Sequence, residues 1–377
     1  MNPPRKILPI GIESFAKMRR GNFYYVDKTE FAWQLTQEAG SYFLSRPRRF
    51  GKSLFLDTLR ELFEGNQALF QGLFIHDKWD WTRRFPVVRI TFSGGVLTSR
   101  AALDQKIQEI LTDNQQRLGV VCTHQSVSGQ FLQLIQLAHE KFGEPVVFLV
   151  DEYDKPILDN IDNSATALAM REGLKDIYSV IKESDEHIRL AFLTGVSKFS
   201  KVNLFSGMNN LRDITLTAQF SAICGYTDAD VDTVFADQLE GLDRAQIRRW
   251  YNGYNWTGEA VYNPFDLLLL FAERTFGAWW CNTGTPTFLF KMMQQKGFFT
   301  PTLTKLRAGS ELISALDVDL MTPEALLFQT GYLTIHQTKL SLSGKSTFVL
   351  GYPNQEIEQL LNASSLAAST GATTNQG

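Results

Sequence analysis

Ser45-Arg46-Pro47-Arg48-Arg49-Phe50-Gly51-Lys52-Ser53 is the stretch whose reading decides the fold. It follows a short apolar run, Tyr42-Phe43-Leu44-Ser45, that reads as a strand. It opens a segment, Ser53 to Glu64, in which Leu54, Phe55, Leu59, Leu62 and Phe63 fall on one helical face. Gly65 then stops the helix. Gly-Lys-Ser between a strand and a helix is the setting in which this triplet binds phosphate. Gly51 lets the backbone curl tightly. The N–H groups of Arg48, Arg49, Phe50, Gly51, Lys52, Ser53 and Leu54, with the positive end of the helix, would hold the β-phosphate. The Lys52 ammonium, expected to be exposed, would reach the β- and γ-phosphates, and the Ser53 hydroxyl would bind Mg²⁺. The full motif wants a glycine five residues before Gly51, and Arg46 stands there. The alternative is a basic turn that caps a helix. A second triplet, Gly344-Lys345-Ser346, precedes a strand instead, so no helix dipole points at a ligand and it reads as a hairpin turn.

Outward from the loop, the chain alternates strands and helices. Pro86 to Phe92 reads as a strand, and Ser99 to Leu118 and Ser126 to Phe142 as helices. Val146 to Val150 is continuously apolar, the pattern of a strand covered on both faces. A helix from about Ser164 to Lys182 follows, then strands at Arg189 to Thr194 and Asp213 to Leu216. This alternation predicts an α/β fold with a three-layer parallel-sheet core.

Val150 runs straight into Asp151-Glu152. In phosphate-loop ATPases the first carboxylate at this place holds the Mg²⁺ shell. The second, Glu152, would act as a general base on water. That second acid favours hydrolysis over phosphoryl transfer to a substrate; the plain alternative is a solvated cap. Thr194 and Ser197 stand at the tip of a neighbouring strand, where a hydroxyl can sense the γ-phosphate. A serine-threonine turn is the competing reading.

From about Ala222 the alternation stops. Helices are expected at Asp228 to Phe235, Asp243 to Tyr251 and Phe265 to Phe276, with an aromatic turn-rich stretch at Trp250 to Trp256. Further on, helices at Glu311 to Leu316 and Pro323 to Thr330 precede strands at Tyr332 to His336 and Thr347 to Tyr352. The expected organisation is a P-loop core over 1–221, a helical lid over 222–309 and a winged-helix-like module over 310–361. Residues 362–377 read as a disordered tail.

The composition agrees with a folded chain: 377 residues, 44% hydrophobic and 20% charged. Thirty-seven basic against forty acidic residues gives a net charge of −3, no general invitation to nucleic acid. Cys122, Cys224 and Cys281 lie far apart, as reduced thiols rather than a disulfide framework. No apolar run approaches the ~20 residues of a membrane helix, so a cytoplasmic location is expected.

Several motifs together resemble the AAA-ATPase-like family of bacterial proteins. They are Leu8 to Gly11, Tyr25 to Thr29, the phosphate loop, Val150 to Pro156, Thr194 to Phe199, Asn209 to Asp213, Tyr251 to Tyr254 and Tyr262 to Pro264. The Arg-Pro-Arg-Arg-Phe-Gly-Lys-Ser form is usual in that family, so the resemblance makes Arg46 in place of glycine a lesser departure. The resemblance implies ATP and Mg²⁺ as cofactors and extends from about residue 7 to about residue 360. Longer members carry a C-terminal nuclease-like domain; after Pro353 no acidic-x-Lys strand remains, so this chain is expected to look truncated and to cut no DNA. An arginine from outside the loop usually completes such sites, with Arg212, Arg248 and Arg249 as unranked candidates. Two rivals to an ATPase that drives conformational change stay open. One is a nucleotide-gated switch with slow hydrolysis. The other is a DNA-binding protein with a degenerate core that uses the wing near Lys339 and Lys345. A homo-oligomer is compatible with each.

Overall fold

The computed structural model describes residues 6–198, 211–284, 306–309, 323–340 and 346–370. Five strands, β1 (Gly40–Ser45), β2 (Val87–Thr91), β3 (Val146–Asp151), β4 (Ile188–Gly195) and β5 (Leu211–Asp213), form one sheet in the order β2-β3-β4-β1-β5. Every pairing is parallel. The expected α/β core with a parallel sheet is therefore present. All residues of β3 except Asp151 are buried, as its unbroken apolar run requires.

Helices α1 (Phe15–Arg20) and α2 (Thr29–Thr36) precede the sheet. Helix α3 (Lys52–Phe63) follows β1, and α4 (Arg100–Leu118) and α5 (Val127–Phe142) separate β2 from β3. A short helix, α6 (Lys155–Leu158), and the long α7 (Ser164–Glu183) link β3 to β4. Local chemistry sets these bounds. Ser99 and Ser126 cap α4 and α5 by accepting from the third backbone N–H along. Gly119 and Gly143 end them in the left-handed region, at φ +65° and +68°. Helix α3 packs on β3, α4 on β2 and α5 on β3.

Strand β5 ends at Asp213 instead of continuing to Leu216. The Asp213 carboxylate accepts from Thr215 N at 2.9 Å and turns the chain there.

The helices Asp228–Val234, Arg244–Tyr251 and Pro264–Glu273 gather around a second apolar cluster that includes Val231, Phe235, Ile247 and Leu267. Tyr24 and Val26 from the N-terminal segment complete that cluster. The last of these helices stops before the expected Phe276. Arg274 turns left-handed at φ +58°, and its guanidinium donates to the carbonyls of Gln238 and Glu240.

Strands β6 (Leu306–Gly309), β7 (Thr334–Leu340) and β8 (Ser346–Gly351) form an antiparallel sheet in the order β6-β8-β7. The expected helix Pro323–Thr330 precedes β7. Strand β6 lies before residue 310 yet pairs with β8, so this sheet begins earlier in the chain than expected. The expected helix at Glu311 to Leu316, and Gly344 and Lys345, lie outside the described residues. The final helix is Gln355–Thr370, so 362–370 are helical rather than a tail. Ala363, Leu366, Ala367 and Ala368 extend a helix already nucleated at Gln355, which costs little for such residues. Among the described residues no helix is long and apolar enough to cross a membrane.

Candidate functional site

The carboxyl ends of β1, β3 and β4 meet at one edge, the crevice where open parallel sheets bind ligands. Ser45 ends β1 opposite Gly195, and Asp151 ends β3. The phosphate loop leaves β1 there. Its backbone is held from the inside. Arg46 is fully buried. Its guanidinium donates to Ser45 O at 2.8 Å, Thr215 O at 3.0 Å and Phe220 O at 3.0 Å, and it lies 4.0 Å over the Trp256 ring. Burial pushes its pKa down to about 10, against the opposing pull of Cys224 and Asp213. The residue that breaks the glycine pattern is thus an inward anchor. Phe50 is a second one, with its ring edge-on to Tyr254 at 4.7 Å and to Trp256 at 5.7 Å. Trp280 Nε1 donates to Arg48 O at 3.0 Å.

The outer side of the loop is open. Gly51 has φ +93°, and nothing lies within 4 Å of where a Cβ would stand. Arg48 and Arg49 are exposed, while Ser53 and Leu54 are half-buried in the first turn of α3. Lys52 corrects the expectation of exposure. It is 7% exposed, and its ammonium donates to Arg46 O and Pro47 O, each at 2.9 Å. As the first residue of α3 its side chain points back under the loop, so the stem is covered. Burial lowers its pKa, opposed first by Asp151 and also by Cys224, Asp154 and Glu152.

The acidic turn faces this loop. Glu152 N donates to Asp151 Oδ1 at 3.0 Å, and Thr194 Oγ1 donates to the same oxygen at 2.9 Å. Glu152 sits at φ +52°, a strained conformation of the kind that clusters at functional sites. Its carboxyl pKa is raised, first by burial and then by Asp151, against the pull of Lys52. Thr194 is buried, with its hydroxyl on the Asp151 carboxylate. Ser197 is buried and bound to Asp154, which removes it from the phosphate-sensing candidates.

A cleft of about 530 Å³ is lined by Arg48, Arg49, Gly51, Lys52, Ser53, Leu54 and Glu152, together with Lys155. A chamber of about 340 Å³ adjoins Ser53 and Asp151 and is lined also by Thr91 and Arg89. Arg89 was missed from sequence, although the alternation Val88-Arg89-Ile90-Thr91 marks it as facing out. Of the three external arginines, Arg248 is paired with Asp228 at 3.1 Å, and Arg212 and Arg249 are exposed. None of them lines the cleft within the described residues.

Thr194→Val keeps the shape and deletes the hydroxyl that orients Asp151. It is expected to raise the Mg²⁺ concentration needed for half-maximal ATP binding by about tenfold, the scale of lost support to a metal ligand. A Mg²⁺ titration at fixed ATP checks this, and an unchanged midpoint would deny Thr194 that role.

A family profile described as AAA-ATPase_like, Predicted AAA-ATPase, matches residues 9–205. A protein of Azotobacter chroococcum mcd 1, described as "Uncharacterized protein in vnfD 5'region", is 58% identical over 359 residues, covering 95% of this chain and 69% of that one. Among solved structures, Drosophila ORC bound to AT-rich DNA and Cdc6 overlays with a TM-score of 0.25 at 11% identity, covering 93% of this chain and 92% of that chain. The complex of the same assembly with GC-rich DNA gives 0.23 at 10% identity, with the same coverage. TM-scores this low carry no argument about fold or function.

Proposed function

This chain belongs to the predicted AAA-ATPase family, and we propose that it binds ATP with Mg²⁺ in the described cleft and hydrolyses it. The observation that carries this reading is the meeting of Lys52 and Ser53 with Asp151 and Glu152 at one sheet edge, with Thr194 fixing Asp151. The loop N–H groups from Arg48 to Leu54 and the start of α3 would hold the phosphates. An ammonium has three donors. Two of those on Lys52 are taken by loop carbonyls, leaving one for a phosphate oxygen. Ser53 Oγ and Asp151 are hard oxygen donors that suit Mg²⁺. Phosphate oxygens and water would complete the shell. When bound, the ion neutralises phosphate charge.

Glu152 would take a proton from water as the water oxygen bonds to the γ-phosphorus and the bond to the bridging oxygen breaks. The bridging oxygen leaves with ADP, and the γ-phosphoryl group, now bonded to the water oxygen, leaves as inorganic phosphate. The helix Pro323–Thr330 followed by β7 and β8 supports the winged-helix-like module, and the cluster around Val231 supports the helical lid. Nucleotide-driven movement between lid and core is the conformational output we assign to the cycle.

The reading is tested by calorimetric titration with Mg²⁺–ATP and by phosphate release. A folded protein that binds no Mg²⁺–ATP at millimolar concentration would sink it. The pH profile gives a second check. A base must be ionised to act, and the Glu152 pKa is raised. Single-turnover hydrolysis should therefore fall as pH drops through the ionisation of the Glu152 carboxyl, while ATP binding persists. That acid limb should vanish in Glu152→Gln.

A further inference from the structure

Beyond the end of β4, three consecutive amides are gripped from two sides. Asp154 is buried, and its Oδ2 accepts from Val196 N at 3.0 Å, Ser197 N at 2.6 Å and Ser197 Oγ at 2.7 Å. The next amide, Lys198 N, donates to Gln329 Oε1 at 2.7 Å. Gln329 is also buried and belongs to the helix Pro323–Thr330, 131 positions away in sequence. The Lys198 ammonium pairs with Asp213 at the end of β5.

There is no slack between this grip and the acidic turn. Tyr153 N donates to Thr194 O at 3.1 Å. A Cβ on Gly195 would stand 2.5 Å from Asp154 Oδ1 and 2.5 Å from the Tyr153 ring. Thr194, just before Gly195, holds Asp151, and Glu152 lies two residues before Asp154 in its strained conformation. The helix bearing Gln329 is also wedged against the phosphate loop. A Cβ on Gly331, at φ +93°, would come 2.7 Å from Pro47 Cγ.

We propose that Asp154 and Gln329 are positioning residues for ATP hydrolysis. By gripping the amides of residues 196–198, they press the end of β4 onto the acidic turn and keep Glu152 aimed at the cleft. The proposal rests on the ATPase reading. It makes the helix Pro323–Thr330 part of the catalytic scaffold although Gln329 touches no nucleotide.

Gln329→Leu removes the acceptor, and Gln329→Glu keeps one. Ser197→Ala removes one of the three bonds to Asp154. Amide hydrogen exchange on nucleotide-free protein, Mg²⁺–ATP affinity and single-turnover hydrolysis are measured for each. In Gln329→Leu, exchange at residues 196–198 should quicken by about threefold to tenfold, the scale of one lost hydrogen bond. Hydrolysis should slow by a similar factor with affinity within about twofold of the parent, and Gln329→Glu should restore both. Faster exchange with parental hydrolysis would overturn the proposal, as would affinity that weakens in step with the rate. If Gln329→Leu fails to fold, Ser197→Ala decides by the same readouts. Slower hydrolysis at parental affinity supports positioning, while weakened ATP affinity returns Ser197 to the phosphates and overturns it. A parent that binds no Mg²⁺–ATP removes the ATPase reading and the catalytic role with it. Exchange on nucleotide-free protein tells that failure from an absent grip.

Discussion

Glu152→Gln is expected to hold Mg²⁺–ATP as tightly as the parent and to turn it over at least ~100-fold more slowly, the scale of a lost general base. The amide has the shape of the carboxyl group but cannot take a proton. Binding should survive because Lys52, Ser53 and Asp151 are untouched. The geometry at Asp151 should survive too, since it depends on the Glu152 backbone N–H and on Thr194 rather than on the Glu152 side chain. Rapid-quench measurement of one turnover isolates the chemical step from product release. A parental single-turnover rate in the variant would remove Glu152 from its role.

Lys52→Ala is expected to weaken Mg²⁺–ATP binding by about 100-fold, the scale of a lost charge-assisted hydrogen bond. The burial of Lys52 adds a second effect. Without the ammonium, Arg46 O and Pro47 O lose their donor inside the loop. Leaving such groups unsatisfied costs about 1–3 kcal/mol. A lower melting temperature should therefore accompany the loss of binding, and circular dichroism must first show that the variant is folded at the assay temperature. A folded Lys52→Ala protein with parental affinity would show the phosphate-loop assignment to be wrong.

The parts of the fold that could be read from sequence are those whose signal is local. The run Val146 to Val150 announces a strand buried on both faces, and Ser99 and Ser126 announce helix starts; each is found within a residue or so of its place. The acidic pair and the Gly-Lys-Ser triplet follow from their positions at strand ends. What was hidden depends on partners distant in sequence. Arg46 looked like a defect, because its meaning lies in Thr215, Phe220 and Trp256. Lys52 looked exposed, because spacing does not reveal the carbonyls beneath it. Ser197 looked like a phosphate sensor until Asp154 was seen beside it. Helix α1, at six residues, is too short for a periodicity to show. Ser14 caps it by accepting from Lys17 N, and Phe15 N donates to Asp57 Oδ2 at 2.8 Å. Strand β6, at four residues, is defined by its pairing with β8.

The aromatic wall behind the phosphate loop has a consequence for how the protein is made. Arg48 and the indole that holds its carbonyl are 232 positions apart. Arg46 waits 174 positions for Phe220, and for Trp256 longer still. At the ~5–20 residues per second of synthesis, the loop leaves the ribosome on the order of ten seconds or more before its backing exists. Until then the arginine-rich loop has no aromatic surface to rest on, and the pocket beside it cannot close. The nascent chain therefore passes through an interval in which its sheet can assemble but its pocket cannot. ATP would reach a competent site only after Trp280 has emerged, when about three quarters of the 377 residues have been made.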